Sequence, residues 1–269
     1  MEPTTHTLTT PDGTVISYTV FEGADPAVVI LHGLAGSSRE HLPTARALGG
    51  RRVVLVDQRG HGRSTRTPSD LSREAFVSDV AAVIDAVAEL GITAPVDLVG
   101  QSMGAHTAML VAAAHPEKVR RLVLLECDEG SGSAEEHKDL GDWLRAWPVP
   151  FADREAALAH LGDGALAQAW TADLEQRPDG LYPRFHADVM VDTIRAVAVP
   201  RWEEWESVEA PTLAVYAKGG MFTEEQKQRF VSRGRNVTRV DLAEGTHDAH
   251  LDAFEEWIAV LSEFLAQRG

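Results

Sequence analysis

The stretch Pro95-Val96-Asp97-Leu98-Val99-Gly100-Gln101-Ser102-Met103-Gly104 runs an apolar strand into a Gly-x-Ser-x-Gly turn, and the alanine-rich segment from Met103 to His115 reads as the helix that leaves it. A chain that turns directly from strand to helix brings two backbones together and strains the residue at the tip, so glycines are needed on both sides. Ser102 holds that tip, from which a hydroxyl is presented as a nucleophile. A glycine-rich turn that merely contains a serine gives the same five residues. The strand before it and the helix after it separate the two readings.

Outward from this turn, strands and helices alternate. Ala27 to Leu31 and Val53 to Val56 are continuous apolar runs of the kind buried on both faces of a parallel sheet. They empty into the loops His32-Gly33-Leu34-Ala35-Gly36-Ser37 and Asp57-Gln58-Arg59-Gly60-His61-Gly62-Arg63-Ser64. Between them, Arg39 to Leu48 is expected to be helical, closed by Gly49-Gly50. Phe76, Val80, Val83, Ile84, Val87 and Leu90 recur at helical spacing after Ser72. Upstream, Thr4–Thr9 and Thr14–Phe21 flank Pro11-Asp12-Gly13 and read as an antiparallel hairpin. Downstream, Val119 to Leu125, Thr212 to Tyr216 and Val237 to Leu242 supply further strands, and a closing helix carries Phe254, Trp257, Ile258, Leu261 and Leu265 on one face. This alternation implies parallel strands with helical crossovers and a ligand site at their carboxyl ends.

Between about 131 and 207 the pattern changes: no buried strand is evident, and Trp147-Pro148-Val149-Pro150, Arg177-Pro178-Asp179-Gly180 and Tyr182-Pro183 break short helical pieces. This segment holds five of the six tryptophans, at positions 143, 147, 170, 202 and 205. Such rings also anchor small helices that have little core of their own. Taken together, they suggest a helical lid with an apolar roof, and Trp143, Trp147, Trp170 and Trp202 are the candidate substrate-binding residues. The expected division is a core of residues 1–130 and 208–269 with a lid at 131–207.

A chain of 269 residues, 44% hydrophobic and 25% charged, can bury one large core. Its formal net charge of -16 disfavours nucleic acid and anionic membrane surfaces as partners. The single cysteine, Cys127, has no internal disulfide partner, and Met1-Glu2-Pro3-Thr4 lacks a basic region followed by an apolar stretch. The cytoplasm is the expected compartment. No run approaches the ~18 apolar residues of a membrane span. A homo-oligomer is compatible with the sequence, which does not fix the state of assembly.

A catalytic serine needs a base, an acid to hold that base, and donors for the oxyanion. Among 11 histidines, His247 in Glu244-Gly245-Thr246-His247 is best placed, in the loop between the last strand and the last helix. His250 is its nearest rival. His32 and His61 sit in glycine turns and read as structural. The sequence resembles the α/β-hydrolase family through His32-Gly33, Asp57-x-Arg59-Gly60-x-Gly62-x-Ser64, Gly100-x-Ser102-x-Gly104 and Gly245-x-His247, in the family's order and over nearly the whole chain except the lid. The resemblance implies an α/β fold: a mostly parallel central sheet, helices on both faces and an inserted helical lid. It implies Ser102 as nucleophile, His247 as base and the backbone N–H groups of Leu34 and Met103 as oxyanion hole. It implies no cofactor and no metal, and no His-Glu-x-x-His, multi-cysteine or dinucleotide pattern is present.

There is one departure. The family most often places its acid in the loop here occupied by Ala217-Lys218-Gly219-Gly220-Met221, which has none. Glu224 and Glu225 follow, but Thr223-Glu224-Glu225-Gln226 reads as a helix capping box. Glu126, at the carboxyl end of the Val119–Leu125 strand, is the candidate acid, with Asp128 as the alternative. That placement is similar to zearalenone lactone hydrolases, which also use serine, and to some haloalkane dehalogenases. The expected activity is hydrolysis of a hydrophobic small-molecule ester or lactone through an acyl-enzyme. Thioester, carbon–carbon and perhydrolase chemistry use the same machinery, and a non-catalytic ligand sensor is the reading from another class.

Overall fold

The computed structural model describes residues 2–92 and 94–267, so Met1, Thr93, Arg268 and Gly269 of the expected core segments lie outside it. β1 (Thr4–Thr9) and β2 (Val15–Phe21) form the expected hairpin. β3 (Ala24–Leu31) leads through a 3-10 turn, Ser38–His41, into α1 (Leu42–Ala47), and β4 (Arg51–Asp57) follows. The single helix expected over 39–48 is therefore divided. Pro43 stands in the first turn of α1, where a missing N–H is harmless, but its ring would clash with the carbonyl of Arg39 in a continuous helix.

α2 (Arg73–Glu89) starts at Ser72, whose hydroxyl accepts the Ala75 N–H. β5 (Val96–Gln101), α3 (Met103–Ala114) and β6 (Val119–Leu125) come next. Then α4 (Ala134–Arg145), α5 (Arg154–Leu161), α6 (Ala165–Asp173), β7 (Glu175–Arg177), β8 (Gly180–Tyr182), α7 (Ala187–Val197) and α8 (Trp202–Ser207) all fall between β6 and β9 (Thr212–Tyr216). The chain ends with α9 (Glu224–Arg233), β10 (Val237–Asp241), α10 (Ala249–Asp252) and α11 (Phe254–Ala266). The two-stranded β7–β8 sheet corrects the expectation that Arg177-Pro178-Asp179-Gly180 only breaks helices. That tetrapeptide turns an antiparallel hairpin too short to leave an alternating pattern.

The main sheet runs β1-β2-β4-β3-β5-β6-β9-β10, antiparallel at β1-β2-β4 and parallel from β4 onward. Period-two alternation divides its side chains between two layers. Val29, Leu31, Val54 and Leu98 pack with α2 and α3, while Val28, Ile30, Val53 and Val99 pack with α1 and α11. A third cluster, with Leu144, Trp147, Phe151, Phe185 and Met190 at its centre, joins α4 to α7 and rests on Ala35 in the loop after β3. Among the described residues no helix is long and apolar enough to cross a membrane.

Candidate active site

Every candidate catalytic side chain sits at the carboxyl end of a parallel strand or in the loop beyond it. At the end of β5, Ser102 has φ 53° and ψ −120°, a conformation sparsely populated by residues with a Cβ. The close approach that imposes it is explicit. A Cβ on Gly100 would stand 2.4 Å from the Gly104 carbonyl, and one on Gly104 would stand 2.4 Å from the Leu31 oxygen. The Ser102 N–H donates to the Leu125 carbonyl at 2.9 Å, hooking the turn onto β6. Its hydroxyl makes no capping bond to α3.

The same geometry recurs one strand further on. Glu126 leaves β6 with φ 50°, and its N–H donates to the Val215 carbonyl of β9 at 2.9 Å. Its carboxylate is fully buried. Oε1 accepts the Ala217 N–H at 2.8 Å, and Oε2 accepts the Met221 N–H at 3.0 Å. Oε2 also lies 3.3 Å from His247 Nδ1. The acid-free loop after β9 thus supplies backbone donors for a carboxylate rooted on the neighbouring strand. Two further contacts hold His247: Gln101 Nε2 donates to its carbonyl at 2.9 Å, and the Gly219 N–H donates to the Gly245 carbonyl at 2.9 Å.

The rival residues are engaged elsewhere. The Asp128 carboxylate accepts the Gly130 N–H at 3.0 Å and the Ser131 hydroxyl, closing its own loop. His250 is buried against His41, with ring centroids 4.5 Å apart, and burial pushes its pKa down to about 4. Glu224 pairs with Arg239 at 2.7 Å, and Thr223 and Gln226 form the capping box of α9. His32 Nε2 accepts the Gln58 N–H at 3.0 Å, and its Nδ1 lies 2.7 Å from the Gly33 carbonyl, fixing the loop that carries Leu34. His61 Nδ1 lies 2.9 Å from the Arg59 carbonyl, and burial lowers its pKa to about 3. Met103 opens α3, so its N–H belongs to the first turn, which no intrahelical carbonyl reaches.

Ser102 and His247 line one cavity of about 610 Å³, together with Leu34, Leu140, Trp170 and Ile194. Of the four candidate tryptophans, Trp170 alone lines it. Trp147 is buried beside it, 5.4 Å from Trp170 between ring centroids, and Trp143 stacks edge-on against Trp147 with 45% of its surface exposed. Trp202 lies apart, packed on the main core beneath Arg233, whose guanidinium stands 3.8 Å from its ring centroid. Gln101, Glu40 and Asp248 border the cavity without having been singled out in the sequence. Only the place of Gln101, next to Ser102 in the turn, offered a signal.

A strand-end serine on a strained turn, with a histidine and a carboxylate on neighbouring strand ends of a doubly covered parallel sheet, defines the α/β hydrolases as a class. The profile of the alpha/beta hydrolase fold family matches residues 26–161, and the chain belongs to that family. It is similar to the mouse sn-1-specific diacylglycerol lipase ABHD11, 42% identical over 116 residues that make up 41% of this chain and 36% of that protein. The chain thus spans only about a third of that relative. Pyrrolizixenacetamide deacetylase of Xenorhabdus hominickii is 26% identical over 270 residues, 93% of this chain and 94% of that protein. The solved structure of E-2-(acetamidomethylene)succinate hydrolase shares the fold, with a TM-score of 0.86 at 20% identity over 98% of this chain and all of that one.

Proposed function

We propose that this chain is a serine hydrolase that cleaves a carboxylic ester or lactone of a largely hydrophobic substrate through an acyl-enzyme, with Ser102, His247 and Glu126 as its triad. The observation that carries this reading is the shared cavity of Ser102 and His247, with Glu126 held by two backbone N–H groups 3.3 Å from the histidine ring. Ser102 Oγ attacks the substrate carbonyl as His247 takes its proton. Glu126 accepts from Nδ1–H, which fixes the tautomer that leaves Nε2 free and stabilises the imidazolium that forms. The N–H groups of Leu34 and Met103 receive the oxyanion. His247 then protonates the leaving alcohol, and water releases the acyl group by the reverse sequence. Residues 131–207 act as a lid, whose α4, α6 and α7 contribute Leu140, Trp170 and Ile194 to an apolar wall.

The deacetylase relative, aligned along nearly the whole chain, supports extending the reading to amides, since the same acyl-enzyme forms when the leaving group is an amine. The test is a panel of 4-nitrophenyl esters, lactones, thioesters and aryl amides, run beside covalent labelling with a fluorophosphonate. Turnover and labelling by the wild type, both lost in Ser102→Ala, are expected. Failure of the wild type to turn over any ester or to take the label would overturn the proposal.

A further inference from the structure

The wall of the Ser102 cavity carries acids and no strong base. Glu40, Glu136 and Asp248 line it, and among the described residues no lysine or arginine does. Glu136 is exposed and committed to the capping box of α4, where it accepts the Ser133 N–H at 2.7 Å. Asp173, close behind the wall, is saturated by Arg63 Nη2 at 2.6 Å and the Ser37 hydroxyl at 2.6 Å. Among the described residues, neither Glu40 nor Asp248 pairs with an arginine or a lysine.

Glu40 is unusual for a carboxylic acid. It stands on the 3-10 turn after the Leu34 loop, and only 6% of the residue is exposed. A Cβ on Gly36 would come within 2.7 Å of Oε2, so the backbone there gives way to the carboxyl group. The nearest side-chain base, His250 Nε2, is 3.8 Å from Oε2, and burial keeps that ring neutral at neutral pH. The Trp170 indole borders the same cavity, with its N–H beside the Glu40 carboxyl group. Burial, partly offset by His32 and then reinforced by the nearby Asp173 charge, raises the Glu40 pKa to about 7. Asp248 precedes α10 without capping it, and its pKa is raised by burial too. A buried acid whose only neighbouring bases are histidines is poorly compensated, and Glu40, buried, and Asp248, half-buried, against the substrate cavity suit a cation brought in from outside.

We propose that Glu40 and Asp248, beside the Trp170 ring, form a subsite for a protonated amine, so that the substrate carries an ammonium group apart from its scissile carbonyl. This rests on the serine-hydrolase reading of the same cavity. An ammonium supplies several donors and one positive charge, and it offsets the mutual repulsion of the two carboxylates. A substrate carboxylate placed there meets like charge in a partly dry site, and a hydrocarbon chain leaves both acids unsatisfied.

The test compares 4-nitrophenyl 6-aminohexanoate with the heptanoate and the adipate monoester, of similar chain length. In the wild type, kcat/KM for the amino ester exceeds that for the heptanoate by about tenfold or more, the order expected for one charge-assisted hydrogen bond, and the adipate is the poorest. Glu40→Gln and Asp248→Asn each lower the amino-to-alkyl ratio by several-fold, chiefly through KM. Benzylammonium binding, followed by calorimetry, weakens in parallel. An amino ester no better than the heptanoate, or a ratio and a benzylammonium affinity unchanged in both variants, overturns the subsite. If no ester is turned over, the hydrolase reading fails, and benzylammonium binding still decides the subsite. Should Glu40→Gln fail to fold, the wild-type ratio and Asp248→Asn decide it.

Discussion

A Cβ on Gly220 would lie 2.2 Å from Glu126 Oε1, so the glycine in the loop after β9 makes the space that the carboxylate from β6 fills. The two features missing from a conventional reading of that loop, an acid and a side chain at Gly220, are therefore one arrangement. The loop has exchanged the role of carrying a carboxylate for that of clasping one through the Ala217 and Met221 N–H groups. Gly220 is outside the left-handed region, so an alanine there acts through contact with Glu126 and not through backbone strain. Gly220→Ala is expected to lower kcat by tenfold or more, about what a displaced triad contact costs, with a smaller effect on KM. Wild-type kcat in a folded Gly220→Ala protein would show that the acid tolerates displacement and would count against its proposed role.

The carboxylate itself is tested by Glu126→Gln beside Asp128→Asn. Glutamine keeps the shape but turns one of its ends into a donor, so it no longer holds His247 Nδ1–H in the required tautomer. The expected loss in kcat is about 10³- to 10⁴-fold for Glu126→Gln. Asp128 serves only its own loop, and its variant is expected to stay within a few-fold of wild type. Steady-state kinetics on one activated ester reads both, and the reverse ranking would transfer the role to Asp128.

The core was legible where side chains carry the signal. Val119–Leu125 and Thr212–Tyr216 are unbroken apolar runs, and their ends fall where the composition changes. Because those ends were readable, Glu126 could be placed on the catalytic rim. What holds Glu126 was not readable, since its donors are backbone groups in a loop distant in sequence. Glu40 was hidden for a different reason: it falls within the helix expected over Arg39 to Leu48, where nothing in the spacing marks an acid for burial. Trp170 on α6 and His250 on α10 both approach its carboxyl group. Trp202 misled in the opposite sense, because Trp202-Glu203-Glu204-Trp205 does not say which ring faces which layer. Trp205 took the fully buried place, stacked on Phe230 at 4.2 Å.

His61 makes a pH prediction with a definite sign. Its folded pKa is lowered from 6.5 to about 3, chiefly by burial and secondarily by the neighbouring His32. Below pH 6.5 the unfolded chain takes up a proton that the native ring refuses, so the native state loses stability as pH falls from about 6.5 toward 3. The loss is about 1.4 kcal/mol per pH unit, or about 2 kcal/mol at pH 5. His61→Gln removes this linkage. Its destabilisation relative to wild type, measured by urea unfolding, is therefore expected to be about 2 kcal/mol smaller at pH 5 than at pH 7.5. An equal difference at the two pH values would mean that the ring is already charged, or already exposed, in the native protein.

The lid reading separates Trp170 from Trp202. Trp170 presents its ring to the cavity that holds Ser102, so truncating it removes apolar wall from the substrate side. Trp202 packs under the Arg233 and Arg229 guanidinium groups, 3.8 and 5.4 Å from its ring centroid, and helps fasten α8 to α9 and the main core. Trp170→Ala is expected to raise KM for bulky aryl esters about tenfold while changing that for acetate esters much less, because small acyl groups do not reach the ring. Trp202→Ala is expected to leave the ratio of bulky to small ester kcat/KM unaltered and to cost about 1–3 kcal/mol of stability from lost packing and cation–π contact. Kinetics on the two esters, with thermal unfolding of both variants, reads the contrast. A selectivity change that follows Trp202 instead of Trp170 would mean that the substrate is held on the other side of the lid.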